Sequence, residues 1–190
     1  MLRNSKQPRV APVEPPYDEA TAAALEQLGP PIALFRVFVR RPERAAAIFG
    51  WGSYYLSRRT ALTLRQREIV IDRTAARCGA SYEWAIHATV FGGKAGLDAA
   101  QLRSLADGSA SDECWDSRDR AVIAAVDALH DRNDLSDGEW QDLVAVAGED
   151  GAVDLLLVCG WYHAISFAVR ALRLPPEPGT EAAVSLLPSA

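Results

Sequence analysis

The chain is poor in sulfur and in imidazole. Its 190 residues include three cysteines, one methionine and three histidines. Cys78, Cys114 and Cys159 form no C-x-x-C pair. Their odd number and wide spacing argue against a disulfide framework or a zinc site. The expectation is three reduced thiols. Neither H-x-x-x-H nor H-x-x-E-H is present, so no metal and no cofactor are expected. Basic residues form no stripe: 20 are set among 25 acidic ones, for a net charge of −5. That balance excludes the usual electrostatic footprint of nucleic-acid binding. No uninterrupted apolar run reaches the ~18 residues of a membrane span, so no membrane partner is expected. The first twenty residues lack an apolar stretch of secretory length. A cytoplasmic location is expected. No period-2 alternation bounded by turns suggests strands.

What is there is helical. Hydrophobic residues make up 49% of the chain, enough for one domain with a sizeable core. Residues 1–16 carry four prolines among polar residues and read as an extended arm. Residues 17–174 read as a single domain and 175–190 as a tail. Helix starts are signalled at Asp18, at Pro42 and at Asp98. Thr63-Leu64-Arg65-Gln66 and Ser136-Asp137-Gly138-Glu139 have the form of capping boxes. The predicted helices include 63–77, 81–95, 98–108, 116–132, 136–147 and 150–172. The fold class is all-α, with about eight helices built around a central hairpin. Phe49, Trp51, Tyr54, Tyr55 and Leu56 are expected in the core or at a subunit interface rather than in a pocket wall.

The hairpin spans residues 63–97 and breaks at Cys78-Gly79-Ala80-Ser81. Gly79 suits a helix C-terminus, because it takes the left-handed conformation cheaply. Glu68 lies in the first arm among Ile69, Val70 and Ile71. Burial there would raise its pKa into the range of an acid–base catalyst. The alternative is a solvated face shared with Arg65 and Asp72. Glu83 and His87 lie in the second arm, four apart and on one face. They form either a surface pair or a proton relay. Cys78 sits at the carbonyl end of a helix, which opposes thiolate formation. His130 ends an amphipathic helix, whose carbonyl end it would complement. His163 reads as a hydrogen-bonded core or interface histidine.

Residues 62–107 resemble the carboxymuconolactone decarboxylase and AhpD-like alkylhydroperoxidase superfamily. The resemblance rests on Arg65, Arg67-Glu68-Ile69-Val70, Arg73-Thr74, Tyr82-Glu83-Trp84, His87, Gly96-Leu97 and Gln101. The final helix, with Trp161 and the prolines after it, resembles the C-terminal part of the branch that carries Y-E-W. Peroxidases of the superfamily carry a glutamate, a C-x-x-C pair and a histidine. Carried over, the glutamate falls on Glu68 and the histidine on His87. The two thiol positions fall on Ala80 and Glu83, so both redox cysteines are replaced. The decarboxylase side implies cofactor-independent proton transfer to a small carboxylate, lactone or carbonyl compound. His87, Glu83 and Glu68 would carry it. Cys78, Tyr82 and Arg77 are additional candidates, with Arg65, Arg73 or Arg77 as the cation for a substrate carboxylate. The resemblance also implies a homotrimer or hexamer.

Three readings remain open on sequence: this acid–base enzyme, a thiol peroxidase using Cys78, and an oligomeric scaffold without catalysis. They differ in where Glu68 points and in what surrounds Cys78.

Overall fold

Side-chain caps set several of the helix starts in the computed structural model, which describes residues 7–188. The helices are α1 (Glu19–Leu28), α2 (Ala33–Phe38), α3 (Pro42–Tyr55), α4 (Leu64–Arg77), α5 (Ser81–Val90), α6 (Ala99–Asp107), α7 (Ser117–Arg132), α8 (Asp137–Leu172) and α9 (Glu181–Val184). The described residues contain no strand. Asp18, Asp98 and Asp116 each accept a backbone N–H in the first turn of the helix that follows. Thr63, Asp98 and Ser136 close reciprocal capping boxes with Gln66, Gln101 and Glu139.

The most buried helix is α4, which packs against α5, α6, α7 and α8. Ile69, Val70, Ile71 and Ala75 are fully enclosed. A helix surrounded in this way buries polar residues along with apolar ones, and Glu68, Asp72 and Thr74 are also at 0% exposure. Truncating Ile69 or Ile71 to alanine would leave a cavity costing about 2–5 kcal/mol.

The turn from α4 to α5 has a specific cause. Gly79 takes φ +62°, its N–H bonds to Ala76 O at 2.8 Å, and the Ala80 N–H bonds to Ala75 O at 2.8 Å. This paired closure satisfies the carbonyls left at the end of α4. A Cβ at Gly79 would also stand 3.6 Å from the Arg170 guanidinium carbon. Arg170 donates to Cys78 O at 2.6 Å and pins the turn to α8.

Three boundaries differ from the sequence expectation. First, α5 ends at Val90, and residues 91–96 form turns closed by Gly96 at φ +70°. Second, α8 runs across both of its predicted pieces, interrupted at Gly148 (φ 73°, ψ 170°). Third, the described part of the tail is packed. The Trp84 indole N–H donates to Ala183 O at 2.8 Å, which docks α9 on α5. Residues 7–16 of the proposed arm also hold to the body. Arg9 N–H donates to Leu172 O at 2.8 Å, and Glu14 pairs with Arg36 at 2.6 Å. The remainder of the arm, residues 1–6, lies outside the described residues.

Among the described residues one helix, α8, is long and apolar enough by length and composition to cross a membrane, with a window of mean hydropathy 1.6. Scattered charges hid this window from a search for uninterrupted apolar runs. Half of it is buried against the rest of the chain, as a central core helix requires.

Candidate functional site

The hairpin brings residues 68 and 87 level with each other. Glu68 Oε2 lies 2.8 Å from His87 Nδ1, with both side chains buried. The other carboxylate oxygen of Glu68 accepts from Arg67 Nε at 3.1 Å. Arg67 is itself held by Ser57 O. On the far side of the ring, Nε2 is 3.1 Å from the Tyr162 hydroxyl and 3.4 Å from Glu83 Oε1. Tyr162 comes from α8 and stands edge-on to the imidazole. Phe91 covers another side, with ring centroids 5.2 Å apart.

Burial alone would push His87 down. The hydrogen bonds and charges of Glu68 and Glu83 outweigh it and raise the pKa to about 10. The ring is therefore an imidazolium at neutral pH, and both nitrogens are donors. Nδ1–H points at Glu68, and the Tyr162 oxygen accepts from Nε2–H. The hydrogen of Tyr162 then remains for another acceptor. Burial, then the charges of Glu83 and Glu68, keep that phenol protonated.

A third acid feels the charge of the ring. Asp72 is fully enclosed on α4, and neither of its oxygens has a hydrogen-bond partner. Burial raises its pKa well above the ordinary carboxylate value. Glu83 also has an unpartnered buried oxygen, Oε2. Such atoms are rare in folded proteins and mark places where a proton or a ligand is missing its partner.

His87, Glu83 and Tyr162 line one wall of a cavity of about 590 Å³. Its other walls are mostly apolar, from Phe35, Phe38, Ile48, Phe49, Ile86 and Trp161. Phe49 and Leu56 are thus wall residues, contrary to expectation. Tyr55 is in the core, and Trp51 stacks on Trp161. Pro178, Gly179 and Thr180 complete the lining from the C-terminal segment. That segment is latched by Glu177, whose Oε1 accepts from Tyr82 OH and from Ala33 N–H, each at 2.6 Å. A separate, more open depression of about 530 Å³ is lined by Arg103, Asp107, Asp112 and Glu113. None of the hairpin acids reaches it.

The sequence candidates separate into two groups. Glu68, Glu83 and His87 converge, and Glu68 is enclosed rather than on a solvated face. Tyr82 lies beside them in sequence, but its hydroxyl serves the Glu177 latch and donates nothing to the ring. Arg77 is a correction. It pairs with Asp127 and Asp131 against α7 and does not line the cavity. Arg65 is likewise paired with Asp119, and Arg73 with Asp127. No arginine or lysine lines the cavity among the described residues. Cys78 does not line it either.

Sequence reasoning missed Asp72 and Tyr162. Asp72 is one turn after Glu68 on the same face, a signal that was legible but was read as solvation. Tyr162 is 75 residues from His87, and no local pattern predicts that contact.

No protein-family model matches the chain, and no curated protein matches its sequence. Solved structures do match. An uncharacterized peroxidase-related protein from Silicibacter sp. TM1040 superposes with TM-score 0.77 at 15% identity, over 97% of this chain and 98% of that one. The fold is AhpD-like. The debrominase Bmp8, as a cysteine-to-alanine variant in complex with 2,3,4-tribromopyrrole, aligns at TM-score 0.72 and 12% identity, over 96% of this chain and 98% of that one. Apo Bmp8 aligns at TM-score 0.69 and 14% identity, over 94% and 97% of the two chains. At these identities the likeness establishes the fold and leaves the chemistry to the side chains.

Proposed function

We propose that this chain is a cofactor-independent acid–base enzyme, similar in chemistry to carboxymuconolactone decarboxylases, acting on a small, largely apolar lactone or carbonyl compound. The observation that carries the reading is Glu83, with Oε1 3.4 Å from a charged His87 and Oε2 unpartnered, lining an apolar cavity together with that ring. Glu83 would take the proton from a carbon next to the carbonyl. The electron pair of that C–H bond moves towards oxygen, where the enolate meets the free hydrogen of the Tyr162 hydroxyl, itself held by Nε2–H of His87. Where carbon dioxide leaves instead, the same imidazolium returns a proton to the carbon. Glu68 holds the ring in orientation and keeps it charged.

The lining also narrows the substrate class. With two acids, Glu83 and Glu177, and only His87 as a cation, a compound bearing several carboxylates would meet net repulsion. Neutral compounds and monoacids fit better. Bmp8, on the same fold, is seen with a halogenated pyrrole. A flat, apolar ligand would suit the aromatic walls here as well.

The test uses proton exchange, which needs no knowledge of the natural substrate. The protein is incubated in deuterated water with a panel of lactones, β-keto acids, ketones and hydroperoxides, and followed by proton NMR. Deuterium incorporation or decarboxylation by the wild type, lost in Glu83→Gln and His87→Gln, supports the proposal. Turnover indifferent to both variants overturns it. Consumption of hydroperoxide that depends on Cys78 would favour the thiol reading. Saturable binding without exchange would favour a scaffold.

A homo-oligomer, trimer or hexamer, belongs to the same proposal. Trp51, Tyr54, Val153, Leu157 and Phe167 are exposed on α3 and α8, Phe167 at 66%. Apolar surface of this kind suits burial between subunits. Light scattering on the purified protein tests it, and a strictly monomeric mass would count against it.

A further inference from the structure

Cys78, His130 and His163, scattered in sequence, are not scattered in space. Where α4, α7 and α8 meet, Cys78, His130 and His163 present their ligand atoms within 4.8 Å of one another. Cys78 caps the end of α4, His130 is in the last turn of α7, and His163 is on α8. None of the three lines the cavity that holds His87.

The ring geometry is specific. His163 Nδ1 lies 2.9 Å from the carbonyl of Cys159, one turn earlier on the same helix. Donation to that carbonyl places a ring proton on Nδ1, so Nε2 is the nitrogen left to face a metal. His130 Nδ1 stands 3.0 Å from that Nε2. A backbone carbonyl holding the distal N–H is the usual way a metal-binding imidazole is fixed in tautomer and orientation. Two imidazole nitrogens on one tetrahedral zinc stand about 3.3 Å apart, given Zn–N near 2.0–2.1 Å. The observed pair needs to open by only a few tenths of an ångström. A thiolate on the same ion stands about 3.6 Å from each nitrogen. Cys78 reaches that with a side-chain adjustment of about 1 Å from the 4.8 Å limit of the cluster.

We propose that Cys78, His130 and His163 form a binding site for a divalent late transition metal, zinc first among them. One thiolate and two imidazoles form a borderline-soft donor set that prefers Zn²⁺ over Mg²⁺ or Ca²⁺. Three protein ligands leave one position on the ion for water or an exogenous group. Cys159 is not a ligand of this site. Its sulfur lies 3.8 Å from His163 Nδ1, the nitrogen turned away from His130, and it accepts from Thr74 Oγ1 at 3.6 Å. The nearby Arg77 is already matched by Asp127 and Asp131, so it places no unbalanced charge on the site. His130 and His163 are only partly buried, which gives an ion a path in.

Metal-stripped protein titrated with Co²⁺ tests the proposal, with Zn²⁺ as competitor. The expected result is uptake of one equivalent, with a thiolate-to-cobalt charge-transfer band that Zn²⁺ abolishes. Cys78→Ser should remove the band, and His130→Gln and His163→Gln should each weaken Zn²⁺ binding at least tenfold. Cys114→Ser, outside the cluster, should retain the band. Replacing Cys78 can disturb the packed turn, so His130→Gln, at a half-exposed helix end, is the deciding variant. Far-UV circular dichroism checks its fold. No uptake by the wild type, a band that follows Cys114, or affinity unchanged in folded His130→Gln would overturn the site.

Discussion

Glu68 and His87 are 19 residues apart in sequence and 2.8 Å apart in space, on opposite arms of one helical hairpin, with Glu68 fully enclosed and His87 nearly so. A buried carboxylate–imidazole contact of this kind has thermodynamic consequences that do not depend on what the protein turns over. It fixes the charge of the ring, and through that charge it links stability to pH.

The sign of that link follows from the direction of the shift. The His87 pKa is raised in the folded state to about 10, whereas an unfolded histidine titrates near ~6.5. The stabilisation is complete below the unfolded value and is lost as pH rises through the folded one. Between these limits its slope is at most ~1.4 kcal/mol per pH unit. The melting temperature of the wild type should therefore fall from about pH 7 to pH 10, and His87→Gln should flatten that fall. Nitrogen-15 NMR of the ring should show His87 still doubly protonated at pH 8. A neutral ring there would refute the assignment.

Breaking the pair from one side leaves an enclosed charge. Glu68→Gln and His87→Gln should each destabilise by about 3 kcal/mol, because each removes the shortest contact of a buried charge, leaving Glu68 with Arg67 or His87 with the longer Glu83 contact. The double variant should cost clearly less than the sum, since neither charge remains. Urea denaturation of the four proteins measures this. Strict additivity would mean that the two groups do not interact.

Asp72 should behave in the opposite way. It is enclosed with no hydrogen-bond partner, and burial raises its pKa. A carboxyl group with a raised folded pKa opposes folding increasingly as pH climbs above its unfolded value near ~3.9. Asp72→Asn, similar in shape and never charged, should therefore be more stable than the wild type at pH 8, and the gain should shrink towards pH 4. Each kcal/mol recovered should raise the melting temperature by about 2–4 °C in a domain of this size. Calorimetry at the two pH values decides it. Loss of stability at pH 8 would mean that the carboxylate has a partner that compensates its burial.

These outcomes separate what could be read in the chain from what needed the fold. The capping boxes at Thr63 and Ser136 and the turn at Gly79 follow from local chemistry, so the helices and the central hairpin were legible. The convergence of Glu68 with Glu83 and His87 was legible too, because a hairpin brings its arms level. Tyr162 and the Cys78–His130–His163 cluster depend on how α7 and α8 dock on α4. Nothing local encodes that docking, and wide sequence spacing was mistaken for wide separation. Asp72 failed for another reason. Charged residues on helices are usually solvated, and a helix enclosed by four others is the exception. Arg65, Arg73 and Arg77, expected to offer a cation to substrate, are each paired with an aspartate on α7 that the sequence could not place.

The Glu177 latch gives the remaining prediction. One carboxylate oxygen of Glu177 receives both the Ala33 N–H and the Tyr82 O–H, each at 2.6 Å. This ties the segment before α9 to the start of α2 and to α5, over the cavity that Pro178, Gly179 and Thr180 help to line. Hydrogen bonds to a charged acceptor contribute about 1.5–3 kcal/mol each. Glu177→Ala should therefore loosen residues 175–188 and the first turn of α2, while α4 and its proton network stay closed. Hydrogen–deuterium exchange should show the difference as faster exchange confined to those two segments, including the backbone N–H of Ala33. Exchange that rises equally in α4 would mean that the latch supports the whole fold rather than the cover of the cavity. Exchange that does not rise at all would mean that the Trp84–Ala183 contact alone holds the segment in place.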